Sequence, residues 1–323
     1  MQAIGIEHFG DQPHLISVPV PDPDDGEVEV ELFAASKNPL DGAVAAGYLA
    51  GLGDYRFPLV LGFDGAGVVR RVGGSTGFAV GDRVFGQFWS VPMQFGTYAE
   101  VALVQARPAL GALARVPDGI GFAEAAASPT AGMTAAGAIE ASGATTGDAI
   151  LILGATGGLG TFAVQEAAAL GMHVVASAGE QAVSALRELG ARHVLPRDAG
   201  PLADALKQLG IPLAAVLDFA GSVEASAAAI GAIRDGGALI STARGIPDAL
   251  HPDKRLRGVD YTVDRKPERL DALATRLNEG TIRPVIGTQL DLPDALTTTV
   301  ASSGGLRGKT VIHIRSQSSA VGR

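Results

Sequence analysis

AILILGATGGLG, residues 149–160, is the stretch on which the fold turns. Ala149 to Leu153 are uniformly apolar and run straight into a turn containing Gly154, Gly157, Gly158 and Gly160. A short apolar run closed by glycines reads as a strand buried on both faces. Beyond it, Leu159, Ala163, Ala167 and Leu170 recur at helical spacing, which predicts a helix over Gly158 to Leu170 with one face on a sheet. Glycines at such a strand-to-helix turn let backbone N–H groups approach a pyrophosphate. The helix N-terminus adds unpaired donors and a partial positive charge. Gly154, Ala155, Thr156, Gly157, Gly158, Leu159 and Gly160 are therefore the candidate cofactor cradle. No Lys-Ser or Lys-Thr follows the loop, which disfavours a nucleoside-triphosphatase.

Working outward, His173 to Ser177 reads as the next strand and Glu180 to Leu189 as a helix. Val194 and Leu195, then Ala214 to Asp218 and Ala238 to Thr242, continue the alternation. This order predicts a doubly wound parallel sheet. The end of the second strand bears on cofactor type, because an NAD site places an acidic residue there. Here stand Ser177, Ala178 and Gly179, small groups that leave room for a 2′-phosphate, which Ser177 could bond. Arg197 could supply positive charge, although a solvated surface arginine is an equally good reading. Glu180 argues the other way. The balance favours NADPH over NADH.

The first third is different. Gly26 to Leu32 (GEVEVEL) alternates apolar and polar, and Ala66 to Val72, Asp82 to Phe85 and Thr97 to Val101 are further short segments between Gly/Pro/Asp clusters. Together they predict a small β-rich unit. Ala-rich Phe122 to Gly143 reads as helical at the junction, and Ile282 to Ile286 and Thr310 to Ile314 return to β character. The expected division is 1–121 with 287–323 as the β-rich domain and 122–286 as the dinucleotide-binding domain, ending in a frayed SQSSAVGR.

Composition sets limits. The chain has 323 residues, a formal charge of −9 and no cysteine. The charge argues against nucleic-acid or anionic-membrane partners. The missing thiols exclude a disulfide framework, a thiolate zinc site and a cysteine nucleophile. No run of about 20 apolar residues is present to span a bilayer, and the opening MQAIGIEHFG lacks a secretory signal pattern, so a cytoplasmic location is expected. The histidines at 8, 14, 173, 193, 251 and 313 show no metal-ligand spacing.

Several segments in order carry a resemblance: MQAIGIEHFG (1–10), VPVPDPDDGEVEVEL (18–32), ASKNPLDGAVAAGYL (35–49), FPLVLGFDGAGVV (57–69), VGDRVFG (80–86), FGTYAEV (95–101), RVPDGIGFAEAAASPTAGMTA (115–135), GATGGLG (154–160) and RGKTVIHI (307–314). The chain resembles the zinc-independent quinone oxidoreductase branch of the medium-chain dehydrogenase/reductases. The resemblance implies a GroES-like domain, a Rossmann domain, a cleft between them and a homodimer. Where the zinc-dependent branch carries a His-Glu pair, this sequence has Gly62-Phe63-Asp64. With that and no cysteine, no metal is expected. Without a Lewis acid, reduction of an already polarised quinone or α,β-unsaturated carbonyl is easier than oxidation of an alcohol.

The resemblance places Asn38, in KNPLD, near nicotinamide and substrate, its amide able to donate to a developing oxyanion; a turn residue before Pro39 is the plain alternative. Ala43 occupies one position where relatives often have tyrosine, and Tyr48 is displaced by one from another; Tyr48 remains the second catalytic candidate, with solvent as the competing proton source. Thr134 matches a position on the nicotinamide side, or bonds its own helix backbone. Lys309 in RGK matches the closing motif near the cofactor, although the residue type alone favours a surface position. Asp218 reads as a crevice residue with a structural role open, and Phe88, Trp89 and Phe95 as core or as the wall of a flat pocket. Two other functions fit the same features: an enoyl-thioester reductase, or a non-catalytic NADPH-binding sensor.

Overall fold

The computed structural model describes residues 1–108, 110–250, 255–296 and 305–315. The tail 316–323, expected to fray, lies outside the described residues. The N-terminal part contributes β1 (Gln2–Ile6), β2 (His14–Ser17), β3 (Glu27–Ser36), β4 (Leu59–Val60), β5 (Asp64–Val72), β6 (Arg83–Gln87), β7 (Val101–Gln105) and β8 (Ala112–Arg115). The helix α1 (Pro39–Ala45) lies between β3 and β4. After the junction helices α2 (Phe122–Ala127) and α3 (Pro129–Ser142) come β9 (Ala149–Leu153), α4 (Gly158–Ala169), β10 (His173–Ala178), α5 (Val183–Glu188) and β11 (His193–Pro196). The series closes with α6 (Leu202–Leu209), β12 (Leu213–Asp218), α7 (Val223–Ala229), β13 (Ile233–Ser241), β14 (Arg257–Asp260), α8 (Pro267–Asn278), β15 (Ile286–Asp291) and β16 (Lys309–His313).

The second unit is an all-parallel sheet in the order β11-β10-β9-β12-β13-β14. Its strand order reverses between β9 and β12, both wholly buried. Helices on both faces explain this. One core packs Ile150 and Ile152 against Phe162 of α4 and Ile139 of α3, the other packs Leu151 and Leu153 against Leu206 of α6. In the first unit the long β3 is central, pairing antiparallel with β5, β7 and β16. β15 and β16 thereby return the C-terminal chain to the N-terminal sheet. A GroES-like unit joined to a Rossmann-like sheet is the observed architecture.

Three local expectations are corrected. Residues 282–285 are not strand; the strand begins at Ile286 and alternates exposed and half-buried to Asp291, while Ile282 is a buried core residue. An apolar residue such as Ile282 can be core without belonging to a strand. The strand expected over Thr97 to Val101 forms at Val101–Gln105, because Thr97 and Tyr98 instead bond back to Gly62 and Leu61. The junction helix is broken at Ser128, as Pro129 cannot continue α2 and starts α3.

α2 lies on the N-terminal sheet. Phe122 stacks on Phe33 at 4.7 Å, with the Arg83 guanidinium 4.7 Å from its other face. Truncating a packed aromatic of this kind costs about 3–5 kcal/mol. Phe122→Ala is expected to lower unfolding stability by that amount in urea titration, with the far-UV circular dichroism spectrum of the folded protein unchanged.

Candidate active site

Three strand ends meet beside the glycine loop. Ser36, the last residue of β3, pairs with Asp64, the first of β5, and the N–H of Lys37 donates to the carbonyl of Thr310 in β16. This register places Asn38, Asp64 and Lys309 together. Lys309 Nζ donates to Asn38 Oδ1 at 2.6 Å and to the Lys37 carbonyl at 2.9 Å. Asn38 Nδ2 donates to Asp64 Oδ2 at 3.0 Å and to the Ser36 carbonyl at 3.4 Å. Thr130, at the start of α3, donates its hydroxyl to Asp64 Oδ1 at 2.6 Å and its N–H to both carboxylate oxygens at 3.2 Å. Gln87 Nε2 then donates to Thr130 Oγ1 at 2.6 Å, and Arg265 Nε donates to Gln87 Oε1 at 2.6 Å. The chain of contacts thus crosses from the first domain into the second and back.

Asp64 is fully buried and Lys309 nearly so, 3.9 Å apart. Burial pushes the Asp64 carboxyl up, while Lys309, Thr130 and Asn38 pull it down. Burial pushes Lys309 down, and Asp64 and Asp41 oppose this. Asp41 sits one helical turn into α1. Its Oδ2 accepts the Asn38 N–H and the Tyr98 hydroxyl, each at 2.6 Å, while Oδ1 is buried without a partner. Burial raises the Asp41 pKa to about 7 despite those two bonds.

The cradle leans on the same structure. The N–H groups of Arg307 and Gly308 donate to the Thr156 carbonyl, and Gly157 bridges Gly308. Its glycines serve different ends. Gly154 has φ +76°, and a Cβ there would press on the Phe219 backbone at the β9/β12 reversal. A Cβ on Gly160 would lie 2.2 Å from the Gly154 carbonyl, and one on Gly158 would lie 2.6 Å from the Lys309 stem. At Gly157 the backbone is extended, and a Cβ would meet only the Gly154 carbonyl at 3.3 Å. The protein's own packing hardly demands glycine at 157, whereas a closely approaching pyrophosphate would, so the loop fits a dinucleotide.

Known proteins share this architecture. A family model described as alcohol dehydrogenase GroES-like domain matches residues 24–118, and one described as zinc-binding dehydrogenase matches 158–256. The solved quinone oxidoreductase from Coxiella burnetii superposes with a TM-score of 0.82 at 26% identity, over 98% of this chain and 99% of that one. The chain belongs to the medium-chain dehydrogenase/reductase superfamily. A 2-methylene-furan-3-one reductase of Solanum lycopersicum is 37% identical over 37% of this chain and 31% of its own length. A chloroplast envelope quinone oxidoreductase homolog of Arabidopsis thaliana is 34% identical over 41% of this chain and 37% of its own. These curated matches span about a third of each relative's length. The names of these relatives share reductase or oxidoreductase chemistry.

Within this medium-chain dehydrogenase/reductase, Lys309 corrects the surface reading: it is 4% exposed and closes the cluster. Asn38 lies in the cluster, but both amide hydrogens are committed to Asp64 and Ser36, so it holds Lys309 and Asp64 together and offers no spare donor to an oxyanion. Tyr48 stands apart, 83% exposed beyond α1, and no hydrogen bond among the described residues joins it to the cluster. Thr134 donates to the Thr130 carbonyl at 2.5 Å, one turn back in its own helix. Ser177 is the penultimate residue of β10 and Arg197 directly follows β11, with Ser177 paired to Leu195 and Ala178 to Pro196; Arg197 and Glu180 are both exposed. Asp218 is structural: it is buried and accepts from Ala220, Gly221 and Ser226. Phe88 and Trp89 are core, 1% exposed, while Phe95 is half-buried.

Sequence reasoning missed Asp41, Asp64 as a cluster member, Gln87, Thr130 and Arg265. KNPLD and PTAG carried a hint, a polar side chain inside an apolar motif, but no local pattern pairs residues 26 to 271 positions apart. Among the described residues no group of three or more His, Cys, Asp or Glu is placed to hold a metal.

Asp41 supplies a pH test. Its native pKa is near 7, above the 3.8 of a free carboxyl. The folded state therefore holds the proton more tightly, and the stability Asp41 contributes is present below about pH 4 and lost as pH rises through about 7. The urea midpoint of the native protein is expected to fall relative to Asp41→Asn across that window and to run parallel above it. A constant difference from low to high pH would show that burial leaves the Asp41 pKa where it stands in the unfolded chain.

Proposed function

We propose that the protein is an NADPH-dependent, metal-independent reductase that transfers hydride to quinones or α,β-unsaturated carbonyls. The observation that carries this is the saturated Asp64 carboxylate. Both oxygens already accept hydrogen bonds from Asn38 and Thr130, and Lys309 lies 3.9 Å away. A catalytic zinc needs ligand lone pairs and an open position. Here the carboxylate faces donors and a cation, and the sequence has no cysteine to replace it. Substrates that need no Lewis acid are then the suitable ones.

Bound NADPH supplies the hydride. The chain's own residues do the rest: the 154–160 loop cradles the pyrophosphate, with Thr134 and Lys309 toward the nicotinamide end. Ser177 and Arg197 bracket the 2′-phosphate at the ends of adjacent strands, with exposed Glu180 as the counter-argument favouring NADH. Asn38 positions Lys309. Tyr48, being solvent-exposed, supports proton delivery from water rather than from a held hydroxyl. The outer edge of β14 pairs with no strand among the described residues, which supports a homodimer joined there. Among the described residues no helix is long and apolar enough to cross a membrane, in keeping with a cytoplasmic enzyme acting on small molecules.

Paired calorimetric titrations should show NADPH binding more tightly than NADH, and a chelator-treated sample should reduce a quinone or enone at an unchanged rate. Tighter NADH binding would move the ribose contact to Glu180, and loss of activity with removal of one zinc per chain would overturn the mechanism. Gly157→Val should retain the fold, since the site tolerates a Cβ, yet bind NADPH about tenfold more weakly, about 1.4 kcal/mol. Unchanged affinity would misplace the cofactor.

A further inference from the structure

Arg265 has a geometry that the cofactor cradle and the Lys309 cluster leave unexplained. It lies in the loop between β14 and α8, half-buried where the second domain meets the first. Two contacts fix it. Nε donates to Gln87 Oε1 at 2.6 Å, and the guanidinium carbon sits 4.9 Å from the Trp89 ring centroid. Neither support can easily shift. Gln87 spends its amide nitrogen on Thr130, which fixes the orientation of its oxygen, and Trp89 packs on Phe63 at 4.6 Å. The guanidinium is thus held at one edge and one face.

Its other edge has no partner among the described residues. No carboxylate or carbonyl among the described residues bonds Nη1 or Nη2, and neither is a sealed-off buried atom, so both nitrogens are open to solvent beside the domain junction. The acidic groups nearby are already engaged. Asp64 is bound by Asn38 and Thr130, Tyr55 donates to the Leu49 carbonyl at 3.0 Å, and Asp264 lies 3.0 Å from Lys266 and 3.5 Å from Arg269. Withdrawal from water lowers the Arg265 pKa, a cost that Asp64 and Tyr55 offset only from a distance. A half-buried cation is normally paired. A pre-oriented guanidinium with one free edge, lying on an aromatic face, suits a planar carboxylate taken bidentately.

We propose that Arg265 forms an anion subsite in the interdomain cleft that selects flat acceptors carrying a carboxylate. The substrate class rests on the reductase reading above; the subsite itself rests on Arg265, Gln87 and Trp89. The site recognises the acceptor in its ground state, so it acts on KM rather than on the chemical step.

The test uses the intact protein with excess NADP⁺, and benzoate and benzamide as matched charged and neutral probes. Calorimetry should show benzoate binding about tenfold tighter than benzamide. Because Trp89 is the only tryptophan in the sequence, the same titration should perturb its fluorescence. Arg265→Met should reduce benzoate to the benzamide level and leave benzamide unchanged. In turnover, the same variant should raise KM about tenfold more for a carboxylate-bearing enone than for its methyl ester. Equal affinity for the two probes, benzoate binding that survives the substitution, or equal losses on acid and ester would each overturn the subsite. Arg265-dependent benzoate binding with no acceptor reduced would sink the reductase reading and leave the subsite standing. Turnover of the ester with no preference for benzoate would do the reverse.

Discussion

The pairing of Lys309 with Asp64 through Asn38 is the constraint on which the rest of the molecule depends. Two opposite charges sit buried 3.9 Å apart, and neither could stay there alone. Removing one partner of such a pair costs about 3–5 kcal/mol, because the other is left uncompensated. The pair forces three chain segments to keep register: the end of β3, the start of β5 and the start of β16. It also fixes the C-terminal return, since the residues just before Lys309 bond the carbonyl of Thr156 in the glycine loop. Cofactor cradle and substrate-side domain are thereby held by one polar cluster.

From that cluster, order spreads across the cleft. Thr130 joins Asp64 to α3 of the second domain, Gln87 joins Thr130 to β6 of the first, and Arg265 joins Gln87 back to the second. Each side chain here has its hydrogen-bonding capacity largely committed, which pre-orients the few groups left open. Asp41 lies next to this network and bonds different partners, Tyr98 and the Asn38 backbone, while the charges of Asp64 and Lys309 still reach it. One oxygen of its carboxyl remains unmatched, and burial, the largest influence, raises its pKa to about 7. Burial raises the pKa of both neighbouring aspartates, and in each the hydrogen bonds and the Lys309 charge oppose it.

The fold was largely legible in the sequence. β9 begins and ends where its apolar run does, and α4 starts at Gly158 as the loop requires. Errors arose where apolar residues are core without being strand, as at Ile282, and where a strand is polar enough to hide, as in GTQLD. The site was only partly legible. Asn38 stood out through its motif, but its amide is turned inward by Asp64, which no spacing rule connects to it. Lys309 looked like any basic residue near a strand until the sheet buried it.

The sequence by itself determined the alternation of strands and helices, the absence of thiol chemistry and the location of the glycine turn, because these follow from local periodicity and residue type. Even the separate duties of Gly154 and Gly157 are latent in one seven-residue stretch. Tertiary structure alone decided which polar groups became buried and with whom, since burial and charge pairing depend on distances between segments far apart in the chain. Lys309, Asp64 and Arg265 acquire their character only when β16, β5 and the loop before α8 converge on the same cleft.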